Sequence, residues 1–303
     1  MVQPLIDGDI FCYEIGSVGQ YFHETETNED GTPKLVIRSF DWVAETLDQR
    51  IKDICEAVGA TTAPLVYLTG DERLWKMKRR VRPSLPEYAP NFRIAGAVSK
   101  EYKGGRKVDK PYHYNNIRAY LMVHYQAYVA NGMEADDAMA IEQTKRYDPS
   151  HADDYSSAQT IICTRDKDLR QVPGWHYGWE CGKQAEFGPH HYDSLGTIEL
   201  DRSKKPPKII GGGFAFFCSQ LITGDVVDNI GGLPKRGPVA VVNILGGKET
   251  SSELLNAVVN EYKIVYPDAW KERLREQCNL LWMVRGYSED GTLKMFNPKD
   301  IGE

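Results

Sequence analysis

Pro64-Leu-Val-Tyr-Leu-Thr-Gly-Asp71 is a short apolar, β-branched run that breaks at a glycine and ends on an aspartate. A run this brief is expected as a buried strand. Two others resemble it: Val2–Ile6, which leads into Asp7, and Gln159-Thr-Ile-Ile-Cys-Thr164, which leads into Arg165-Asp166. Helical stripes lie between them. In Ser39–Gly59, Phe40, Val43, Ala44, Leu47, Ile51, Ile54, Cys55 and Val58 share one face, with Gly59 as a stop; Tyr114–Asn131 is expected as a second helix. Strands alternating with helices predict an α/β fold with a mostly parallel central sheet flanked by helices. In such sheets chemistry collects at the carboxyl ends of the strands. Three strands that each end on an aspartate would build one acidic pocket there.

Further acids stand in clusters. Met133-Glu134-Ala-Asp136-Asp137 opens a helix, Asp166-Lys-Asp168 follows the third strand, and Gly224-Asp225-Val-Val-Asp228-Asn229 precedes a glycine-rich turn. Nine carboxylates result: Asp7, Asp71, Glu134, Asp136, Asp137, Asp166, Asp168, Asp225 and Asp228. Each alone reads as a turn residue or helix cap. Together they conflict, since two carboxylates ~5 Å apart repel by roughly 3 kcal/mol at an effective dielectric of 20. Two Mg²⁺ or Mn²⁺ ions would relieve this, because hard cations take oxygen ligands and a metal pair serves phosphoryl transfer. Asp9 is expected as a supporting partner or a cap. His190-His191 is expected on a surface loop.

The chain has 303 residues, 41% apolar and 26% charged, the balance of a globular protein with room for a substantial core. No run of about 18 apolar residues is present to span a membrane. The start carries no basic, apolar leader, so a cytoplasmic location is expected, that of the host cell if the chain is viral. Six scattered cysteines without Cys-x-x-Cys suggest reduced thiols. The net charge is −6, but residues 73–110 hold twelve Lys/Arg against three acids, a window of +9. A polyanion would feel that window whatever the total. Without the nine clustered acids the chain would carry +3.

The most specific stretch is Ile222-Thr-Gly-Asp225-Val-Val-Asp228-Asn-Ile-Gly-Gly-Leu-Pro-Lys-Arg-Gly237 and on to Leu245. It reads as a helix ending in Asp-Asn, a Gly/Pro turn, and a resuming helix whose N-terminus can face a phosphate. Here the chain resembles the 5′-nuclease superfamily of flap endonucleases and 5′–3′ exonucleases, especially the stand-alone bacteriophage enzymes. Six motifs match in order over residues 6–245: Ile6-Asp7-Gly8, Gly70-Asp71, Glu101-Tyr-Lys-Gly-Gly-Arg106, Glu134-Ala-Asp-Asp137, Thr164-Arg-Asp-Lys-Asp168 and Gly224–Leu245. The resemblance implies a PIN-like α/β nuclease core over 1–213, with a basic arch at about 73–131. It implies a helical region over 214–303 with a helix–hairpin–helix-type DNA-binding motif. It implies a two-metal phosphodiesterase acting, as a monomer, on DNA with a 5′ end, flap or junction, in phage replication or host-DNA breakdown.

The resemblance also implies roles. Glu134, Asp136, Asp7 and Asp71, with Asp137 beside them, would hold one metal; Asp166, Asp168, Asp225 and Asp228 would hold or orient the other. Lys103 and Arg106 would contact the scissile phosphate, and Tyr102 would stack on a base or pack the arch. Lys78, Arg79, Arg80 and Arg82 would track the strand. Gly231, Gly232, Lys235, Arg236 and Gly237 would grip the duplex. The family's Gly-x-Gly hairpin reads Lys235-Arg236-Gly237, which weakens the case for a bound K⁺, though Lys235 could supply the charge. A PIN-like endoribonuclease and a non-catalytic binder of branched DNA are the competing readings. The glycine turn and the intact set of acids favour the DNA nuclease over both.

Overall fold

In the computed structural model, which describes residues 2–105, 109–152 and 154–297, the three aspartate-tipped runs are adjacent strands. β1 (Gln3–Asp7) leads into α1 (Gly8–Val18). A two-stranded ribbon, β2 (Gln20–Thr27) and β3 (Pro33–Ile37), then α2 (Phe40–Ala57), precede β4 (Leu65–Thr69). Next come α3 (Glu72–Val81), α4 (Phe92–Gly96), α5 (Tyr114–His124), β5 (Tyr128–Ala130) and α6 (Ala135–Arg146). β6 (Thr160–Cys163), β7 (Gly174–Gly178) and β8 (Phe187–Tyr192) follow, then a second ribbon of β9 (Ile198–Asp201) and β10 (Lys208–Gly211). The last elements are α7 (Gly213–Thr223), the short strands β11 (Gly224–Asp225) and β12 (Ile230–Gly231), and α8 (Pro238–Leu245), α9 (Ser251–Val265) and α10 (Trp270–Leu281).

The central sheet has the order β5-β4-β1-β6-β7-β8. Its first five strands are parallel and β8 is antiparallel, so the fold is mixed α/β with a mostly parallel sheet. β1 is central, with Asp7 level with Tyr67 of β4 and Ile6 level with Cys163 of β6. Fully buried Leu5, Ile6, Leu68, Ile161 and Ile162 explain the continuous apolar strands, since this sheet is covered on both faces. On one face, Val43, Leu47, Ile51 and Ile54 of α2 pack as the spacing predicts, and Ser39 caps the helix through the Trp42 amide. On the other, Ala135, Ala138, Met139 and Ala140 of α6 pack over β1, β4 and β6.

The expected helix over Tyr114–Asn131 is corrected. It stops at His124, Gln126 turns with φ 51, and Val129 and Ala130 are buried in β5. Burial in the sheet outweighs the helical spacing of the aromatics. His190 and His191 lie on β8 rather than on a loop. α7 ends at Thr223, before Asp225, not after it. The helices α7–α10 share a second apolar cluster, which also takes in Leu195, Ile198 and Ile209 from the β9–β10 ribbon and its approach. No helix among the described residues is long and apolar enough to cross a membrane.

The break after α7 is enforced by Gly224, whose φ is 68. A Cβ there would stand 2.4 Å from the Gly232 nitrogen and the Ile230 oxygen. Gly224→Ala therefore combines left-handed strain of ~1–3 kcal/mol with a backbone collision. Its urea midpoint is expected well below that of the parent chain, with m unchanged.

Candidate metal centre

Asp7 ends β1 and caps α1, accepting the Asp9 amide at 3.1 Å, while Thr164 at the end of β6 donates its hydroxyl to Asp7 Oδ2 at 2.9 Å. The same Thr164 oxygen accepts the Asp166 amide, and Asp166 Oδ1 accepts the Asp168 amide at 2.8 Å. This chain of contacts holds the β1 and β6 aspartates at one edge. α6 starts over that edge because Ala135 donates its amide to Thr69 Oγ1 at 2.9 Å, at the end of β4. Its first turn brings Glu134 and Asp136.

These acids are short of positive charge. Burial, then Asp9 and Asp166, lifts Asp7 to about 7. Burial, then Asp7, Asp166 and Glu134, raises Asp136 well above the usual carboxylate range. Asp136 makes no hydrogen bond or ion pair among the described residues. Asp166 is raised chiefly by burial, and Asp168 to about 7 by burial and Asp166. Asp9, expected only to support, is raised chiefly by burial, against the opposing charge of Arg118. Its Oδ2 accepts the Thr69 amide at 2.8 Å, and its buried Oδ1 has no partner.

Two lysines neutralise the rest. Lys103 binds Glu134 and lies 3.9 Å from Asp228. Against burial, Lys103 and then Arg93 hold Glu134 below its ordinary pKa. Lys167 spans Asp225 at 2.6 Å and Asp168 at 3.1 Å. Against burial, that contact and the amides of Val227 and Asp228 keep Asp225 low. As the side chains stand, no three His, Cys, Asp or Glu among the described residues form a closed metal shell. The donor chemistry nevertheless fits a hard divalent cation: carboxylate oxygens only, an orphaned buried oxygen on Asp9, and mutual repulsion that Lys103 and Lys167 only partly offset.

Two of the expected ligands are engaged by other partners. Asp137 is fully buried, and all four of its acceptor positions are filled. Arg93 donates to both oxygens at 2.6 and 2.8 Å, and the Glu134 and Val284 amides at 3.1 Å complete the set. Nothing is left for a metal. Asp71 caps α3 through the Leu74 amide at 2.8 Å and pairs with buried Arg118, which also donates to the Thr69 carbonyl. Against burial, that amide and Arg118 keep Asp71 low.

The basic segment divides as well. Tyr102 is an anchor rather than an open stacking platform, because its ring packs on the C-terminal core and its hydroxyl lies 3.1 Å from both Glu134 and Asp228. Burial, then Glu134, holds its phenol far above the usual range. The Lys103 backbone is pinned by its amide on the Asp228 carbonyl, at φ 57. Arg106 lies outside the described residues. Arg93, counted in the +9 window, is 1% exposed and is no surface charge. Lys78 rests over Trp75 and Tyr128, whereas Arg80 and Arg82 are exposed. Arg79 is half-buried. Arg236 pairs through its Nε with Glu261 on α9. Lys235 takes φ 61, the left-handed conformation suited to the glycine it replaces in the pattern. Gly231 and Gly232 lie where β12 returns beside Gly224, and Gly237 caps α8.

Arg93, Arg118 and Lys167 are the residues that motif reading missed. Each carries an ordinary surface-type sequence signal; only the fold reveals which acid it faces.

No protein-family model and no curated protein matches the chain. Among solved structures it is similar to the T5 D15 protein co-crystallised with metal ions, at TM-score 0.42 and 14% identity, over 93% of this chain and 100% of that one. A bacteriophage T5 D15 flap endonuclease complex with DNA and metal ions gives 0.42 and 13%, over 93% and 99%. T5 5′-exonuclease with bound zinc gives 0.43 and 15%, over 93% and 100%. At that level of likeness, the function of this chain rests on its own residues.

The two kinds of acid respond differently to mutation. Asp137→Ala leaves Arg93 buried and unpaired, at an expected cost of ~3–5 kcal/mol in urea unfolding. Asp136→Asn removes a repelled carboxylate. A carboxyl whose folded pKa is raised holds its proton better in the folded chain, so its contribution falls as pH climbs above about 4. In EDTA, Asp136→Asn is therefore expected to match the parent near pH 4 and to exceed it in stability increasingly toward pH 8. A constant difference across that range would contradict the crowding.

Proposed function

We propose that the chain is a divalent-metal-dependent nuclease that hydrolyses phosphodiester bonds in DNA near a 5′ end, flap or junction. The observation that carries this reading is the meeting of Asp7, Asp136 and Asp166 at one sheet edge without a cation of their own, beside Lys103 and Tyr102 from the basic segment. When bound there, two Mg²⁺ or Mn²⁺ ions supply Lewis-acid stabilisation of the reacting phosphate and a more acidic attacking water. Asp7, Asp136 and Asp166 hold them, with Glu134, Asp168, Asp225 and Asp228 as the further donors nearest to hand.

The protein's own groups do the positioning. Tyr102 ties the basic segment to α6 and the 225–229 turn, so that Lys103 is aimed into the pocket. A phosphate arriving there competes with Glu134 for the Lys103 ammonium, which then neutralises charge developing on the phosphoryl oxygens. Arg80 and Arg82 guide the strand without taking part in bond breaking. Arg106 is assigned beside Lys103 on the sequence pattern alone. The six ordered motifs favour a 5′-end substrate over RNA or over binding without cleavage.

Cleavage of an end-labelled 5′-flap oligonucleotide tests this directly. Product with Mg²⁺ and none with EDTA is expected, and Asp166→Asn should reduce the rate ~10²-fold or more while DNA is still bound. In single turnover at saturating enzyme, Lys103→Ala should lower the rate ~10²–10³-fold. Arg80→Ala should mainly weaken affinity, because a guiding contact is equal in ground and transition states. Metal-independent cleavage, or equal small effects from Lys103 and Arg80, would contradict the assignment.

A further inference from the structure

The basic-proline run Arg202-Ser-Lys-Lys-Pro-Pro-Lys208 is the turn of the β9–β10 ribbon, whose register pairs Lys208 with Asp201 and Ile209 with Leu200. Arg202, Lys204, Lys205 and Lys208 are all exposed, and none makes a side-chain hydrogen bond or ion pair among the described residues. The one acid of the turn, Asp201, is taken up locally by the Ser203 amide at 2.9 Å and hydroxyl at 2.6 Å. Residues 201–208 thus carry four cations against one acid. We propose that this turn is a second contact for the phosphate backbone of duplex DNA, outside the metal centre; the proposal rests on the nuclease reading above.

Three observations point to duplex DNA. The ribbon is mounted on the body that carries the glycine turn: Ile198 and Ile209 pack into the cluster of α7–α10, both strands touch α8, and β10 leads through Gly212 into α7. Of the glycine turn's own two cations, Arg236 is held by Glu261, and Lys235 makes no ion pair among the described residues; Lys100 lies beside Gly231. The other ribbon has the opposite sign. Residues 23–34, around its turn, hold four acids against one lysine, and Lys34 is bound to Glu26 at 2.8 Å. A polyanion is therefore drawn to the β9–β10 turn and repelled from the β2–β3 turn.

The test is duplex binding in EDTA, which needs no cleavage. A blunt, fluorescent DNA duplex is titrated at several salt concentrations with the parent chain, the triple variant Arg202→Ala/Lys204→Ala/Lys205→Ala, and Lys52→Ala on α2 as a control. Each lost phosphate contact removes ~0.9 from the log–log salt slope. The triple variant is expected to flatten the slope by about two to three, and Lys52→Ala to leave it unchanged. A change below ~0.9 in the triple variant overturns the proposal and leaves the nuclease reading intact. So does unaltered DNA binding with weakened capture of poly-glutamate, which would assign the turn to an acidic protein. A parent chain that binds no duplex also overturns the proposal, whereas the nuclease reading fails only if the 5′-flap substrate is not cleaved with Mg²⁺.

Discussion

The Arg93–Asp137 pair is the contact on which the rest of the molecule depends. It joins the first turn of α6, at the acidic edge of the sheet, to the end of α10. Besides Asp137, Arg93 donates to the carbonyls of Leu280 at 2.9 Å and Trp282 at 2.7 Å. Asp137 in turn accepts the Val284 amide. Nearby, Gln171 donates to the Leu281 carbonyl at 2.9 Å, extending the seam between the sheet and the C-terminal helices. An ion pair with no solvent access is tolerable only because nearly every donor and acceptor is met. With Asp137 fixed, Glu134 and Asp136 on the same turn have little freedom. The position of Glu134 and Asp136 is thus set by the buried acid beside them.

A second constraint is charge balance. The pocket gathers acids from β1, α6, the β6 loop and the 225–228 turn, and the protein supplies Arg118, Lys103 and Lys167 to face them. Those cations cover Asp71, Glu134 and Asp225, while Lys167 only partly offsets the crowding at Asp168. They leave Asp7, Asp136 and Asp166 repelling one another, with proton affinities raised to match. On the proposed reading a metal ion would relieve that negative charge, and Lys103 is a counter-charge on the segment through which a phosphate would arrive. Metal binding and substrate binding would then meet at the same ammonium group.

Much of this was legible in the chain itself. The three aspartate-tipped strands, the α2 stripe and the start of α6 follow from apolar runs and caps, because local pattern and burial agree there. Failures came where a tertiary partner decided the matter. Asp137 sits in the same Glu-Ala-Asp-Asp box as Asp136, and nothing local separates the ligand candidate from the structural anchor; Arg93, forty-four residues earlier, does so. Arg93 and Arg236 counted as surface charge until Asp137 and Glu261 were seen to claim them. Tyr128–Ala130 kept a helical pattern of aromatics and still became a strand, since β4 offered an unpaired edge beside it.

The central claim is that the sheet edge at Asp7, Asp136 and Asp166 requires a divalent cation. Crystals grown in EDTA and soaked in Mn²⁺ test it through anomalous diffraction. Anomalous density in contact with these carboxylates is expected, with the Lys103 ammonium withdrawn from Glu134. Crystals in which the edge stays free of anomalous density, with Lys103 still bound to Glu134, would contradict it.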